Sequence, residues 1–232
     1  MNDQQKELVR TARITGVWYL ALAISGVVGF LLLHPQIYVS DDLPQTVANL
    51  TEHETIARLR LLFEFAIVIS QALAAVYFFK LFKDINHFAS WALAAWGTMN
   101  AGVIMISAIA MGGAINVANT TLVVSDKLIL IQIFVQIIKN AWGVGSLFFG
   151  LWLIPMGYIV MSSQRMPVWL GRTLIIGGAG YIASAFLSYA GLRFSWIDLL
   201  TVPATVGEFW IICYLFIFGI RPQQSPVTFP LE

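Results

Sequence analysis

Two carboxylates interrupt otherwise apolar stretches: Glu64 within Leu59–Phe79 and Glu208 within Leu199–Ile220. Each falls on a polar helical stripe. Arg60, Glu64 and Gln71 share one face of the first stretch, and Thr201, Thr205 and Glu208 share one face of the second. Asn100 lies midway along another apolar stretch, Phe88–Met111. An ionisable side chain at the centre of a membrane helix costs about 2.5–3.5 kcal/mol on insertion scales, so such residues mark ligand sites, proton sites or structural ion-pair clusters. Turned towards lipid, the stripes would stay unpaired in hydrocarbon. Glu64, Glu208, Arg60, Gln71, Asn100 and Thr205 are therefore expected to meet inside as one polar pocket. A ligand or proton site and a hydrogen-bonded packing cluster weigh about equally as its role.

Other chemistry finds little support. The histidines are His34, His53 and His87. The first two fall on one side of the membrane and the third on the other, so they do not share a metal, and no H-E-x-x-H helix is present. Cys213, the single cysteine, cannot form an intrachain disulfide or a cysteine-based metal site. Neither a G-x-S-x-G elbow nor a P-loop occurs. No catalytic residue, metal or cofactor is assigned. His34, directly before Pro35, reads as an interfacial histidine, with a reach into the pocket as the lesser reading.

These side chains need a bundle of membrane helices to position them. Of the 232 residues, 59% are apolar and only 11% charged, and the net charge is +1. Soluble domains carry about 25% charged residues. The near-neutral balance suggests no nucleic-acid partner. A hydrocarbon core about 30 Å thick needs about 20 apolar residues per helix. Six segments qualify: 14–33, 59–79, 88–111, 141–161, 169–189 and 199–220. The first is too long for a secretory h-region and reads as an uncleaved helix. The expected fold is an all-α integral membrane protein, one domain over 1–232, with six transmembrane helices and short outer-side interfacial helices. Its outer segments are 34–57 and 112–140.

Lys6, Arg10, Arg13, Lys80, Lys83, Arg165, Arg172 and Arg221 lie on one side, eight basic residues against five (Arg58, Arg60, Lys127, Lys139 and Arg193) on the other. The positive-inside rule puts both termini in the cytoplasm.

On the outer side, Asp42-Leu43-Pro44 predicts a short helix capped by Asp42 with Pro44 in its first turn. Thr51-Glu52-His53-Glu54 reads as a capping box starting the second span near Glu52, with Glu54 and Arg58 as an i,i+4 pair. Residues 126–140 are placed as an outer-leaflet helix against the bundle, the alternative being one helix from Asp126 to Met161. Small residues recur at Ala94, Thr98 and Gly102 and at Gly180, Ser184 and Ser188, a spacing that lets backbones approach in lipid. Trp142 reads as an interfacial anchor. Pro155 and Pro203 are expected to kink their spans.

Ordered short motifs carry a family likeness: Arg13-Ile14-Thr15-Gly16-Val17-Trp18-Tyr19-Leu20, Asp42 with Ala48-Asn49, Phe148-Phe149-Gly150, Gly157-Tyr158, Pro167, Leu170-Gly171, Gly178 to Tyr181, Pro203-Ala204 and Gly207-Glu208. The chain resembles, over about residues 10–221, the bacterial multi-pass membrane family catalogued as domain of unknown function forty-three eighty-six. The resemblance implies a bacterial inner-membrane protein and supports an inward role for Glu208. It supplies no catalytic assignment.

The leading reading is a binding or accessory protein of the bacterial inner membrane, holding a small molecule or lipid in an outward-open polar pocket. The first alternative is a small proton-coupled transporter, against which no clear inverted repeat is evident. The second is an intramembrane enzyme, disfavoured because no nucleophile–base pair is present. A homo-oligomer is compatible with any of these. Orientation is directly testable in a Cys213→Ser background. With Gln45→Cys, an impermeant thiol reagent added outside labels the protein; with Gln164→Cys it does not. The reverse pattern would invert the topology.

Overall fold

The structure, a computed structural model, describes residues 3–192 and 194–222. Arg193, counted in the charge balance above, lies outside the described residues. The chain runs through α1 (Asp3–Gly26), a π-helical stretch Val27–Leu33, and α2 (His34–Ile37). Then come α3 (Leu43–Glu52), α4 (Glu54–Phe82), α5 (His87–Ala118), α6 (Val124–Ser163) and α7 (Val168–Tyr189). A 3₁₀ turn, Asp198–Thr201, leads into α8 (Val202–Ile217). No strand occurs among the described residues. Six helical stretches are long and apolar enough to cross a membrane, one for each predicted span.

The faces of α4 show why these helices belong in lipid. It buries Arg60, Glu64 and Gln71 and exposes Leu62, Phe65, Ile69 and Val76. In water that arrangement would forfeit the hydrophobic drive; in hydrocarbon it shelters the polar groups and leaves apolar ones facing the solvent.

Local chemistry sets the helix ends. Asp42 Oδ1 accepts from the Gln45 amide at 2.9 Å, with Pro44 in the first turn, so α3 starts as its sequence predicts. The capping box does not form. Thr51 is still helical within α3, and its hydroxyl donates back to the Val47 carbonyl at 3.2 Å. His53 is the joint, and α4 begins at Glu54. Arg58 Nε donates to Glu54 across one exposed turn at 2.7 Å.

Three other boundaries depart from the sequence reading. The third span continues to Ala118. Pro203 stands in the first turn of α8, where helix amides lack intrahelical partners anyway, so it starts the helix instead of kinking it. Residues 126–140 are not a separate helix: α6 is continuous over 40 residues. Asn140-Ala141-Trp142-Gly143 holds no proline, and the Asn140 amide is satisfied within the helix by the Gln136 carbonyl at 2.8 Å. At 1.5 Å per residue α6 is about 60 Å long, twice a hydrocarbon core.

The chain divides into two compact units, one of Met1–Val17, Val76–Ala94 and Gly150–Glu232, the other of Trp18–Ala75 and Ala95–Phe149. In the first, α6 and α7 pack through glycines. A Cβ on Gly150 would come 2.6 Å from the Gly178 carbonyl oxygen, and one on Gly157 would come 2.5 Å from that of Gly171. Gly177 abuts the Ala204 backbone, and Gly180 the Leu200 carbonyl. In the second unit an apolar core joins Ile37, Leu50, Ala57, Met111, Ile131 and Ile138. This anchors the start of α6 against α5, where the Phe134 ring lies over Gly113.

Gly178→Ala would set a methyl 2.7 Å from the Gly150 carbonyl oxygen. Overpacking of this kind costs about 1–3 kcal/mol. At Gly102 a Cβ meets nothing within 4 Å, so Gly102→Ala gains up to about 1 kcal/mol of helix propensity. Thermal unfolding in detergent is expected to lower the midpoint for the first variant and hold or raise it for the second.

Candidate functional site

Glu64 is the centre of a cluster in the second unit. It is 1% exposed, and Arg60, one turn earlier on α4, is 0% exposed. Arg60 Nη1 lies 2.8 Å from Glu64 Oε1. The same oxygen accepts from the Ser107 hydroxyl of α5 at 2.7 Å and from Trp142 Nε1 of α6 at 3.1 Å. Trp142 Nε1 also lies 3.1 Å from Ser107 Oγ, and Arg60 Nη1 lies 3.0 Å from Met111 Sδ. Three helices thus converge on a single carboxylate oxygen.

Aromatic residues border the pair. The π-helical stretch supplies Phe30, whose ring lies 5.2 Å from the Arg60 guanidinium carbon and packs edge-on against Trp142 at 4.1 Å. Phe30 stacks on His34 at 5.1 Å, and His34 on Tyr38 at 4.8 Å. Burial pushes the Tyr38 phenol well above its ordinary pKa; nearby Glu64 adds to this and Arg60 opposes it. At neutral pH Tyr38 is therefore an O–H donor. Several buried atoms have no hydrogen-bond partner among the described residues: Arg60 Nε and Nη2, Glu64 Oε2, His34 Nδ1 and the Tyr38 hydroxyl.

Gln71 and Asn100 belong to the same seam. The Glu64–Ser107 and Arg60–Met111 contacts define one antiparallel register between α4 and α5. Seven residues further along each helix from Glu64 and Ser107 bring Gln71 and Asn100 to the same face and level, about 10 Å deeper. Both are 0% exposed, and all four of their amide N and O atoms lack hydrogen-bond partners among the described residues. Helix α6 passes close by because residue 145 is glycine: a Cβ there would come 3.3 Å from Asn100 Oδ1.

Glu208 and Thr205 lie on α8, in the other unit. Thr205 is exposed, and its hydroxyl lies 3.5 Å from the Thr201 carbonyl oxygen. Glu208 is half-buried and acts electrostatically on Tyr181 of α7. Among the described residues no three His, Cys, Asp or Glu side chains gather in a way that could hold a metal ion.

Ser107, Met111, Trp142, Phe30 and Tyr38 escaped the sequence reading as site residues. Trp142, read from the sequence as an interfacial anchor, engages Glu64 and Ser107 through its indole N–H. His34 stands within the aromatic border. Only the α4–α5 register, once known, singles out Ser107.

Six helical stretches long and apolar enough to cross a membrane describe a multi-pass membrane protein. The chain belongs to the family described as domain of unknown function DUF4386, whose profile matches residues 14–219. It is also similar to an uncharacterized protein of Archaeoglobus fulgidus, 40% identical over 47 residues. That match covers 20% of this chain and 29% of the archaeal protein, so the chain spans under a third of that relative's length. No solved structure matches the chain.

Removing one member of a buried ion pair strands the other charge, at about 3–5 kcal/mol, whereas replacing both with apolar residues is often neutral or better. Glu64→Leu and Arg60→Met should each destabilise on that scale, and the double variant should recover most of the loss. Denaturant unfolding in detergent, run as a double-mutant cycle, measures this. Additive losses would show that the two do not act as a pair.

Proposed function

We propose that the protein is a binding or accessory protein of the bacterial inner membrane. Both termini lie in the cytoplasm, and a small molecule or lipid headgroup is held at the Arg60–Glu64 cluster near the outer face. The observation that supports this best is a sealed charge pair with unused hydrogen-bonding atoms on both partners. A cluster that served packing alone would satisfy its own atoms, as most buried polar groups in proteins do. Here donors and acceptors remain beside a bordering set of aromatic rings, the usual composition of a small-ligand site.

Proton-coupled transport is the second reading. It is favoured by Gln71 and Asn100, whose unpartnered amides extend the polar seam deeper along α4 and α5. Uptake that depends on a pH gradient would raise it above the first.

Native mass spectrometry from mild detergent tests the leading reading. The parent is expected to retain a bound small molecule or lipid that the folded Arg60→Met/Glu64→Leu double variant has lost. Identical bound species on both proteins would defeat it.

A further inference from the structure

We infer that the Arg60–Glu64 pair recognises a zwitterion, a primary ammonium with a carboxylate or phosphate a few bonds away. The inference rests on the binding reading above and names the chemistry of its ligand.

Which atoms are already used defines that chemistry. Arg60 commits Nη1 to Glu64 Oε1 and Met111 Sδ. Its two unpartnered nitrogens, Nε and Nη2, lie on one edge of the planar guanidinium. Their N–H bonds run parallel and match two oxygens of a carboxylate or phosphate. Glu64 Oε1 takes donors from Arg60, Ser107 and Trp142 and has little capacity left. Glu64 Oε2 is buried and accepts nothing from the described residues, so it is an acceptor for N–H donors. A fork for an anion and an acceptor for a cation thus stand side by side.

Charge balance excludes simpler ligands. Arg60 and Glu64 together are neutral. A lone anion on the guanidinium edge would leave an uncompensated negative charge in a low-dielectric site, and a lone cation on Oε2 a positive one. A zwitterion leaves no net charge and meets an opposite charge at each end. The cation must also carry N–H groups. A quaternary ammonium offers none to Oε2, and the Phe30 face that would attract it is already taken by Arg60. The Tyr38 hydroxyl, unpartnered at the border, is a further donor for the anionic end. An aminophosphate lipid headgroup and a free amino acid or phosphoethanolamine share this chemistry.

The test uses the full chain in nanodiscs of phosphatidylcholine doped with equal small fractions of phosphatidylethanolamine and phosphatidylglycerol. Native mass spectrometry counts the retained lipids, and calorimetry follows added phosphoethanolamine and leucine. If the ligand is a lipid, phosphatidylethanolamine is held at least about tenfold more tightly than either other lipid, the equivalent of one charge-assisted hydrogen bond. If it is a free solute, phosphoethanolamine or leucine binds and no lipid is selected. Glu64→Gln keeps the side-chain shape and removes the counter-charge, so it should shift the preference towards phosphatidylglycerol. Arg60→Lys, without the fork, should weaken every anionic group. The parent's selectivity alone decides the matter if a variant fails to fold. Equal retention of all three lipids without binding of either solute, or preferential retention of phosphatidylglycerol or phosphatidylcholine, would overturn the zwitterion and leave the binding reading standing. Binding of none of the probes would likewise overturn the zwitterion, while the comparison of parent and double variant decides the binding reading.

Discussion

A charged pair placed in hydrocarbon must be surrounded by protein, and that requirement organises half of this molecule. Arg60 and Glu64 occupy successive turns of α4, so either both face the bundle or both face lipid. Facing inward, they need partners from neighbouring helices. Ser107 and Met111 come from α5 and Trp142 from α6. These contacts in turn set the α4–α5 register, which carries Gln71 and Asn100 to a common level deeper in the bundle. Phe30, in the π-helical stretch that follows α1, then lies against the guanidinium and Trp142. The polar choice made at two positions propagates through four helical segments.

The other unit relies on a different interaction. With no hydrophobic drive between helices in lipid, contact area must come from close backbone approach. Gly150 and Gly157 on α6 meet Gly178 and Gly171 on α7, each pair seven residues from the next, so the contact repeats along one face of each helix. The same logic seats α8 against α7 at Gly177 and Ala204. One helix, α6, therefore serves an electrostatic cluster with its Trp142 and a steric seam with its glycines.

The spans were legible because length and hydropathy are nearly sufficient to define a membrane helix. Boundaries depended on finer competition. Asp42 and Pro44 announced α3 correctly, since cap and proline act on the same turn. Thr51 and Glu54 matched a capping box, yet Thr51 was already inside the preceding helix, and four residues cannot reveal which side of a joint they occupy. The continuity of α6 was hidden for a related reason: Gln132, Gln136 and Lys139 look like an amphipathic surface helix, and nothing after them demands a break. Within the site, Arg60 and Glu64 stood out as charges out of place. Ser107 and Trp142 did not, because a serine or tryptophan in a membrane helix is common and only a register gives it a partner.

The distribution of unsatisfied groups bears on whether the cluster is scaffold or site. Burying a polar atom without a partner costs about 1–3 kcal/mol, and more when it is charged. The unpartnered atoms of Arg60, Glu64, His34, Tyr38, Gln71 and Asn100 all fall within Trp18–Ala75 and Ala95–Phe149. Scattered, they would read as incidental imperfections. Here Arg60, Glu64, Gln71 and Asn100 follow one α4–α5 seam, while His34 and Tyr38 flank its charged end. A scaffold gains nothing from such a column, since leucines of similar volume would pack the same helices at lower cost. A site that must accept a polar guest within hydrocarbon needs donors and acceptors that its own side chains leave unused. The glycine-packed unit supplies the contrast: close backbone contacts hold its helices together.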